Sequence, residues 1–352
     1  MSFRIDPRLP LTGEVRRILV DEIGRAISHL ETAREKPEQG LHKCRKRLKS
    51  VRALLRLVRS GDEPFCQTEN ECYKQVSALL AGPREATALI ETVDRLADAF
   101  PEQSAGGGLE PVRERLVLRQ HALHAGPGLD AAINAAIAAC REGLERIDRL
   151  ALPDQPEQAA DILADGARAT LRRAKKALDK AEARGEDEDF HNLRKAAKTH
   201  SMHLSLLGRL WPTPIKARRK AVDKLGEQLG ELHDVFVIRA LLDAEGEPLG
   251  PADETKLLRK LLKRSEKSLT KACLADAAEL FGDSPKRSAK RLARKARDDL
   301  AAPQEEAKAA GRCAFSFSPG GEGEGATPAA AVFLSPQHPP LPPHRADAGR
   351  SA

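Results

Sequence analysis

The chain has 352 residues, of which 32% are charged and 3% aromatic, and its formal net charge at pH 7 is +7. This composition is typical of a globular, helix-rich protein with one large or two ordinary domains. No apolar run is long enough for a membrane span, and residues 1–17 contain no apolar segment of the signal-peptide type. A cytoplasmic protein is therefore expected, and its basic balance favours an acidic partner.

Apolar residues recur at spacings of three and four from about residue 12 to residue 300, beginning with Val15, Ile18 and Leu19. This period predicts an all-α fold, and no stretch alternates at a period of two. Breaks are expected where Gly or Pro cluster, as in "FPEQSAGGGLEP" and "LPDQPE". After the first helix, further helices are predicted at about 41–59, 67–82, 84–100, 109–124, 129–150, 158–184, 188–209, 214–231, 233–244, 252–281 and 285–300.

The composition changes beyond residue 311 to Gly, Pro, Ala and Ser without an apolar period, which predicts a disordered tail over 312–352. The three basic and three acidic residues of this tail cancel, so the positive charge belongs to the helical part. The cysteines are scattered and form no CxxC pair, which predicts reduced thiols. They are Cys44, Cys66, Cys72, Cys140, Cys273 and Cys313.

The stretch "LHKCRKRLKSVRALLRLVR", residues 41–59, is crowded with Lys and Arg and contains no acidic residue. At 100° per residue, most of its cations fall within about 120° of arc, opposite an apolar side made by residues such as Leu48 and Leu54. Because like charges repel, an anion or nearby acidic groups must offset them. The predicted cationic face is about 20 Å long and consists of His42, Arg45, Lys46, Lys49, Arg52 and Arg56.

This stretch recurs 149 residues later as "FHNLRKAAKTHSMHLSLLGR", residues 190–209. The same shift, without a gap, pairs "LLAGPREATALI" with "QLGELHDVFVI". One shift that serves two separate segments predicts two copies of one helical unit, about 1–152 and 153–305. The second face is weaker, since Ser201 and Ser205 replace its last two arginines. It consists of His191, Arg194, Lys195 and Lys198.

The histidine of each copy, His42 and His191, is predicted to open its helix. The helix dipole there disfavours an imidazolium but favours a bound anion, which the Arg and Lys one turn later would also contact. The helix before the second copy adds a further basic face. That face consists of Arg168, Arg172, Lys175 and Lys176.

The paired motifs "HKCRKRLK…LAGPRE" and "HNLRKAAK…LGELHD" resemble those of the CHAD domain, the conserved histidine α-helical domain, over about residues 3–300. The resemblance implies two pseudo-symmetric helical bundles with a basic channel between them. The domain is expected to span residues 1–305. It also implies binding of inorganic polyphosphate and association with polyphosphate granules. The ligand-facing positions it implies are His42, Arg45, Lys46, Lys49, His191, Arg194, Lys195 and Lys198, to which the basic faces add Arg52, Arg56, Arg172 and Lys176.

A polyphosphate-binding protein without catalysis, cofactor or metal is the favoured interpretation. The chain contains no P-loop GxxxxGK[ST] and no evident acidic pair for magnesium, so an enzyme is not expected. Some members of the family carry a fused triphosphate-tunnel domain with an ExExK signature, which this chain lacks. The main alternative is non-specific nucleic-acid binding, but the basic faces carry no aromatic residue on which a base could stack. Weak nucleic-acid binding at low salt is still expected.

A less favoured alternative is a metal-dependent phosphohydrolase of the helical HD type. It is prompted by His233-Asp234, with His200, His203 and Asp243 nearby in the sequence. The equivalent pair in the first copy is Arg84-Glu85, a poor set of metal ligands. His200 is moreover predicted on the core side of its helix, away from the basic face.

Overall fold

The computed structural model describes residues 3–80, 83–104, 108–124, 128–210, 212–244 and 249–301. Within these ranges the chain forms twelve α-helices and one 3-10 turn, with no strand, which confirms the predicted all-α class. No helix in the same ranges is long and apolar enough to cross a membrane. The tail predicted at 312–352 lies outside the described residues.

Of the described helices, seven lie in the first half of the described chain and five in the second. The first half contains α1 (Leu11–Thr32), α2 (Pro37–Leu57), α3 (Glu63–Leu79), α4 (Pro83–Ala99), α5 (Pro101–Ser104), α6 (Glu110–His124) and α7 (Leu129–Arg146), which the 3-10 turn Ile147–Arg149 follows. The second half contains α8 (Pro156–Arg184), α9 (Asp187–Leu206), α10 (Pro212–Asp243), α11 (Ala252–Phe281) and α12 (Pro285–Ala301).

The predicted break between 214–231 and 233–244 is wrong, because α10 is one continuous helix. Gly226 and Gly230 lie inside it, and a glycine in a helix interior costs only about 1 kcal/mol. Packing of α10 against α9 and α11 offsets that cost. In the first half, by contrast, Pro83 begins a new helix, as the fixed backbone angle of proline favours.

Two apolar clusters form the core. The larger one joins α1, α2, α3, α7, α8, α9 and α12 with the N-terminal part of α10 and the C-terminal end of α11. The smaller one joins α4 and α6 with the C-terminal end of α10 and the first part of α11. The apolar sides predicted for the two basic helices are buried as expected: Cys44, Leu48, Val51, Leu54, Leu55 and Val58 in α2, and Leu193, Ala197, Leu204 and Leu207 at α9.

The C-terminal part of α2 is held closely by α8 and α9. A Cβ on Gly166 of α8 would lie 1.9 Å from the carbonyl oxygen of Leu57. Since the obstacle is backbone, only glycine permits this approach. On the other side, the His203 Nε2 of α9 donates a hydrogen bond of 2.9 Å to the carbonyl oxygen of Ala53.

The substitution Gly166→Ala is therefore expected to lower the free energy of unfolding by about 1–3 kcal/mol, the usual cost of overpacking. Gly24→Ala in α1 is the matched control, because a Cβ there meets nothing within 4 Å. That change is expected to stabilise the fold by up to about 1 kcal/mol, since alanine favours the helix. Denaturant unfolding of both variants measures the difference, and a harmless Gly166→Ala would contradict the close packing of α8 on α2.

The prediction of reduced thiols is confirmed for the cysteines that the structure describes. Cys44, Cys66, Cys72, Cys140 and Cys273 are all free. Burial, with a smaller contribution from Cys140, raises the pKa of the Cys44 thiol to about 12, so this thiol is not a reactive thiolate at neutral pH. Cys313 lies outside the described residues.

Candidate functional site

The cationic face of α2 lies on the side of the helix that points away from the core. His42, Lys46 and Lys49 are exposed along it. Arg45 is half-buried and donates a hydrogen bond of 3.1 Å to the carbonyl oxygen of Leu80, at the end of α3. The remaining members, Arg52 and Arg56, are half-buried towards the C-terminal end of the helix.

The prediction that both histidines open their helices is wrong. The α2 helix begins at Pro37 and α9 at Asp187, so His42 and His191 lie more than one turn inside. Only the first four N–H groups of a helix lack intrahelical acceptors, so the backbone at these histidines offers no anion site. The first turn of α9 already carries acidic residues, which offset the positive end of its dipole.

The surroundings of His42 are partly acidic. It lines a cavity of about 290 Å³ between α2 and α4, together with Lys43 and the carboxylates of Glu38 and Glu91. Glu38 accepts a hydrogen bond of 2.9 Å from Thr87 Oγ1. Two carboxylates at this end make it a poorer place for an anion than the rest of the face.

Some charge of the 41–59 stretch is neutralised by carboxylates that lie outside it. Arg47 pairs with Glu22 of α1 at 3.1 Å, and Arg59 pairs with Glu63. Neither arginine belongs to the predicted face. For Lys46, Arg52 and Arg56, no described carboxylate lies within salt-bridge distance.

Arg52 and Arg56 of this face lie near Arg173 of α8. These three residues form the arginine group. Burial, with smaller contributions from the charges of Arg52 and Arg173, lowers the pKa of Arg56 to about 10. Arg56 Nη1 lies 3.5 Å from Thr199 Oγ1 of α9, to which it donates, and Arg52 Nε donates to Asn70 Oδ1 of α3 at 3.4 Å. These hydrogen-bond partners are uncharged. The group therefore holds like charges together at a point where four helices meet.

The corresponding face of α9 lies against α10. A Cβ on Gly226 would be 3.0 Å from Lys198 Cε, and one on Gly230 would be 3.4 Å from Arg194 Nη2. The two glycines thus allow long cationic side chains to lie across α10. Further along α9, Ser201 donates a hydrogen bond to an acidic residue of α10. This face is therefore more enclosed and less positive than the face of α2.

His191 stacks against His233 of α10, with ring centroids 4.6 Å apart. Burial, followed by the charge of Lys195, lowers the pKa of His191. Burial, followed by the charge of Arg194, lowers the pKa of His233 to about 4. Both imidazoles are consequently neutral near pH 7. They contribute polar groups to this face but no positive charge.

The other predicted cations are exposed, except for the half-buried Lys175, and several have acidic neighbours. Lys195 lies 3.7 Å from Glu188 of its own helix. On α8, Arg172 and Lys176 are exposed, with no described carboxylate within salt-bridge distance. The two remaining members of the α8 face form pairs within the helix: Arg168 with Asp165 at 2.9 Å, and Lys175 with Asp179 at 3.1 Å.

The residues of the HD-type alternative are not brought together. Asp234 pairs with Arg95 of α4 at 3.4 Å, and Asp243 pairs with Arg259 of α11. His200 and His203 are buried on the core side of α9, as predicted for His200. Throughout the described ranges, no three His, Cys, Asp or Glu side chains are placed to hold a metal ion. The side chains of Arg84 and Glu85 are not among those that the structure describes.

Arg173 and Thr199, next to the site, were not predicted from the sequence, and His203 was considered only as a possible metal ligand. Arg173 follows Arg172 directly, and only the packing of α8 against α2 distinguishes the two. Thr199 reads as a neutral residue in a basic helix, and His203 as one of several histidines. No local pattern identifies them, because their roles depend on contacts between helices that are distant in sequence.

Lowering the pH from 6.5 to 4 is expected to destabilise the fold through buried histidines such as His203. Burial lowers the pKa of His203 to about 4, with the hydrogen bond to Ala53 opposing this shift and the charges of Arg173 and Arg56 adding to it. The unfolded chain takes up this proton near pH 6.5, so it binds more protons in this window and stability falls with pH. The full shift corresponds to about 3 kcal/mol.

Urea unfolding at several pH values tests this effect. His203→Gln should show a shallower loss of stability between pH 6.5 and 4 than the parent chain. His121→Gln is the control, because His121 is exposed. Equal slopes in all three proteins would show that His203 does not resist protonation in the folded state.

The fold and the site define an all-helical protein whose basic residues line helices of similar sequence in the two halves of the chain. The family model of the CHAD domain matches residues 18–243, and the chain belongs to that family. Among solved structures, PptA from Streptomyces chartreusis is similar, with 17% sequence identity and a TM-score of 0.51 over 78% of this chain and 100% of that chain. At this identity the likeness shows the fold alone. No curated protein matches the chain.

Proposed function

We propose that this protein binds inorganic polyphosphate through the basic faces of α2, α8 and α9, and that this binding directs it to polyphosphate granules. Membership of the CHAD domain family supports the proposal. The observation that carries it is the arginine group, in which Arg56 lies half-buried beside Arg52 and Arg173 with no described carboxylate within salt-bridge distance. Like charges held together in this way destabilise the fold unless an anion compensates them.

The chemistry of the ligand suits this face. Polyphosphate is a chain of anionic groups, and guanidinium groups bind phosphate oxygens through paired, charge-assisted hydrogen bonds. Lys46 and Arg56 are ten residues apart, so the row of cations between them is about 15 Å long at 1.5 Å per residue. One extended polymer can therefore contact several of these side chains at once, which orthophosphate cannot do.

We further propose that the chain consists of two copies of one helical unit that share a basic groove. The shift of 149 residues that pairs His42 with His191 also carries Glu63, the first residue of α3, onto Pro212, the first residue of α10. The two basic helices, α2 and α9, contact each other directly. The hydrogen bond from Arg56 to Thr199 joins them.

The proposed function is binding without catalysis. Two acidic side chains beside the basic face of α9 are engaged in ion pairs: Glu188 with Lys195, and Asp187 with Arg239 of α10. Incubation of the protein with polyphosphate and magnesium should therefore leave the polymer length unchanged. Shortening of the polymer, or release of phosphate above the rate without protein, would overturn this part of the proposal.

Arg56→Gln tests the role of the arginine group. The variant should bind long-chain polyphosphate about tenfold or more weakly, since a charge-assisted hydrogen bond is worth about 1.5–3 kcal/mol. It should also melt at the same temperature or higher, because an uncompensated half-buried charge has been removed. Arg141→Gln is the control, since Arg141 is exposed on α7 and pairs with Glu31 at 3.8 Å. Unchanged affinity in Arg56→Gln would contradict the assignment.

A further inference from the structure

A second cavity, of about 260 Å³, lies between α8, α9, α10 and α12. Its lining is mainly apolar and includes Leu171, Leu204, Leu207 and Ile215. The buried side chains of α9 form its floor, and exposed residues such as Pro214 lie at its mouth. None of the cations proposed to bind polyphosphate lines it, so it is separate from that site.

One wall of this cavity carries a half-buried cation that forms no salt bridge with the described carboxylates. Arg218 of α10 is half-buried, and its guanidinium donates to His200 Nε2 at 3.3 Å and to the carbonyl oxygen of Leu280. Burial lowers the pKa of Arg218, and the attraction of Asp283 offsets this only in part. No described carboxylate lies within salt-bridge distance of Arg218. Arg291 of α12 also lines the cavity, and its charge further lowers the pKa of Arg218.

Two buried histidines of α9 lie at the floor of the cavity. His200 is 4% exposed, and its Nε2 accepts from Arg218. The proton of the neutral ring is then on Nδ1, which has no hydrogen-bond partner among the described residues. The Nδ1 of His203 also lacks one. Because both of these atoms are buried away from the cavity surface, the polar side chains that a ligand in the cavity can meet are Arg218, Arg291 and Ser288.

We propose that this cavity binds a small organic carboxylate with an apolar body of about eight carbons. The carboxylate would pair with Arg218 and accept a hydrogen bond from Ser288, which lines the cavity. The apolar body would displace water from the leucine side chains. A volume of 260 Å³ holds about nine groups of the size of a water molecule, at about 30 Å³ each, and octanoate has about ten non-hydrogen atoms. Inorganic phosphates gain nothing from apolar walls, so the proposal does not depend on polyphosphate binding.

Isothermal titration calorimetry of the full chain with octanoate tests the proposal. Octanoate should bind saturably with one site per chain, whereas octanamide, which lacks the charge, and orthophosphate, which lacks the apolar body, should bind at least tenfold more weakly. Arg218→Gln should weaken octanoate binding by about tenfold to a hundredfold. Arg218 also donates a hydrogen bond to the carbonyl oxygen of Leu280, so Arg218→Gln removes a contact between helices as well as a charge. The second variant is therefore Ser288→Leu, whose larger side chain fills part of the cavity from α12 and leaves every charge in place.

Ser288→Leu should abolish octanoate binding while its affinity for long-chain polyphosphate stays that of the parent chain. Absence of saturable octanoate binding to the parent chain would overturn the proposal. So would equal affinity for octanamide, or unchanged octanoate binding in both variants. Loss of polyphosphate binding with retained octanoate binding would instead count against the proposed function alone.

Discussion

Replacing Lys46 and Lys49 together with glutamate is expected to weaken binding of long-chain polyphosphate by about a hundredfold or more. Both side chains are exposed on the face of α2 that points away from the core. The change removes two charge-assisted contacts, each worth about 1.5–3 kcal/mol, and introduces repulsion. A loss of about 1.4 kcal/mol corresponds to a factor of ten in affinity. Direct titration at constant ionic strength measures the loss.

The matching change of Lys195 and Lys198 should weaken binding less. The charge of Lys195 is already partly offset by Glu188 at 3.7 Å, and the face of α9 continues with Ser201 and not with arginine. Circular dichroism and a thermal melt should precede the comparison, because Lys198 packs across Gly226 and its loss could disturb α10. Greater damage from the second pair would mean that α9, and not α2, supplies the main contacts.

The affinity for long-chain polyphosphate is expected to fall steeply with salt. Binding of a polyanion to Lys and Arg releases condensed counterions, so the logarithm of the affinity decreases linearly with the logarithm of the salt concentration. With six or more phosphate contacts, the loss between about 50 and 200 mM salt should be on the order of a thousandfold. The double substitution of Lys46 and Lys49 should remove about two phosphate contacts. The slope of log affinity against log salt concentration should become shallower by the corresponding amount.

Orthophosphate is the control for that measurement, because one small anion can make few of these contacts. Its binding should be weak and should respond little to salt. A long chain that binds no more tightly than orthophosphate, or whose affinity is independent of salt, would exclude an extended row of contacts along α2.

The all-helical class, the core sides of α2 and α9 and the family could all be predicted from the sequence. The reason is physical: a helix that buries one side must repeat its apolar residues every three or four positions, as Leu48, Val51 and Leu55 do in α2. The position of His200 on the core side followed from the same geometry. A charged face is visible in the same way, because it occupies the rest of the helical circumference.

Features that depend on packing between helices could not be predicted. The two basic helices begin at Pro37 and Asp187, before the apolar period starts. The histidines therefore do not lie at the helix N-termini, where the sequence predicts them. Arg173 joins Arg56 only because α8 reaches α2 at Gly166. The continuity of α10 across Gly230 likewise follows from its neighbours, because local preference alone favours a break there.

Competition between long-chain polyphosphate and double-stranded DNA of equal total charge, at about 150 mM salt, tests polyphosphate binding most directly. The basic faces are rich in Lys and Arg but offer no aromatic platform for bases, so a polymer made only of phosphates should bind more tightly than DNA. Polyphosphate is expected to displace labelled DNA from the protein, and DNA is expected not to displace labelled polyphosphate. Displacement of polyphosphate by DNA at equal charge would contradict polyphosphate as the ligand and identify the site as a non-specific nucleic-acid interface.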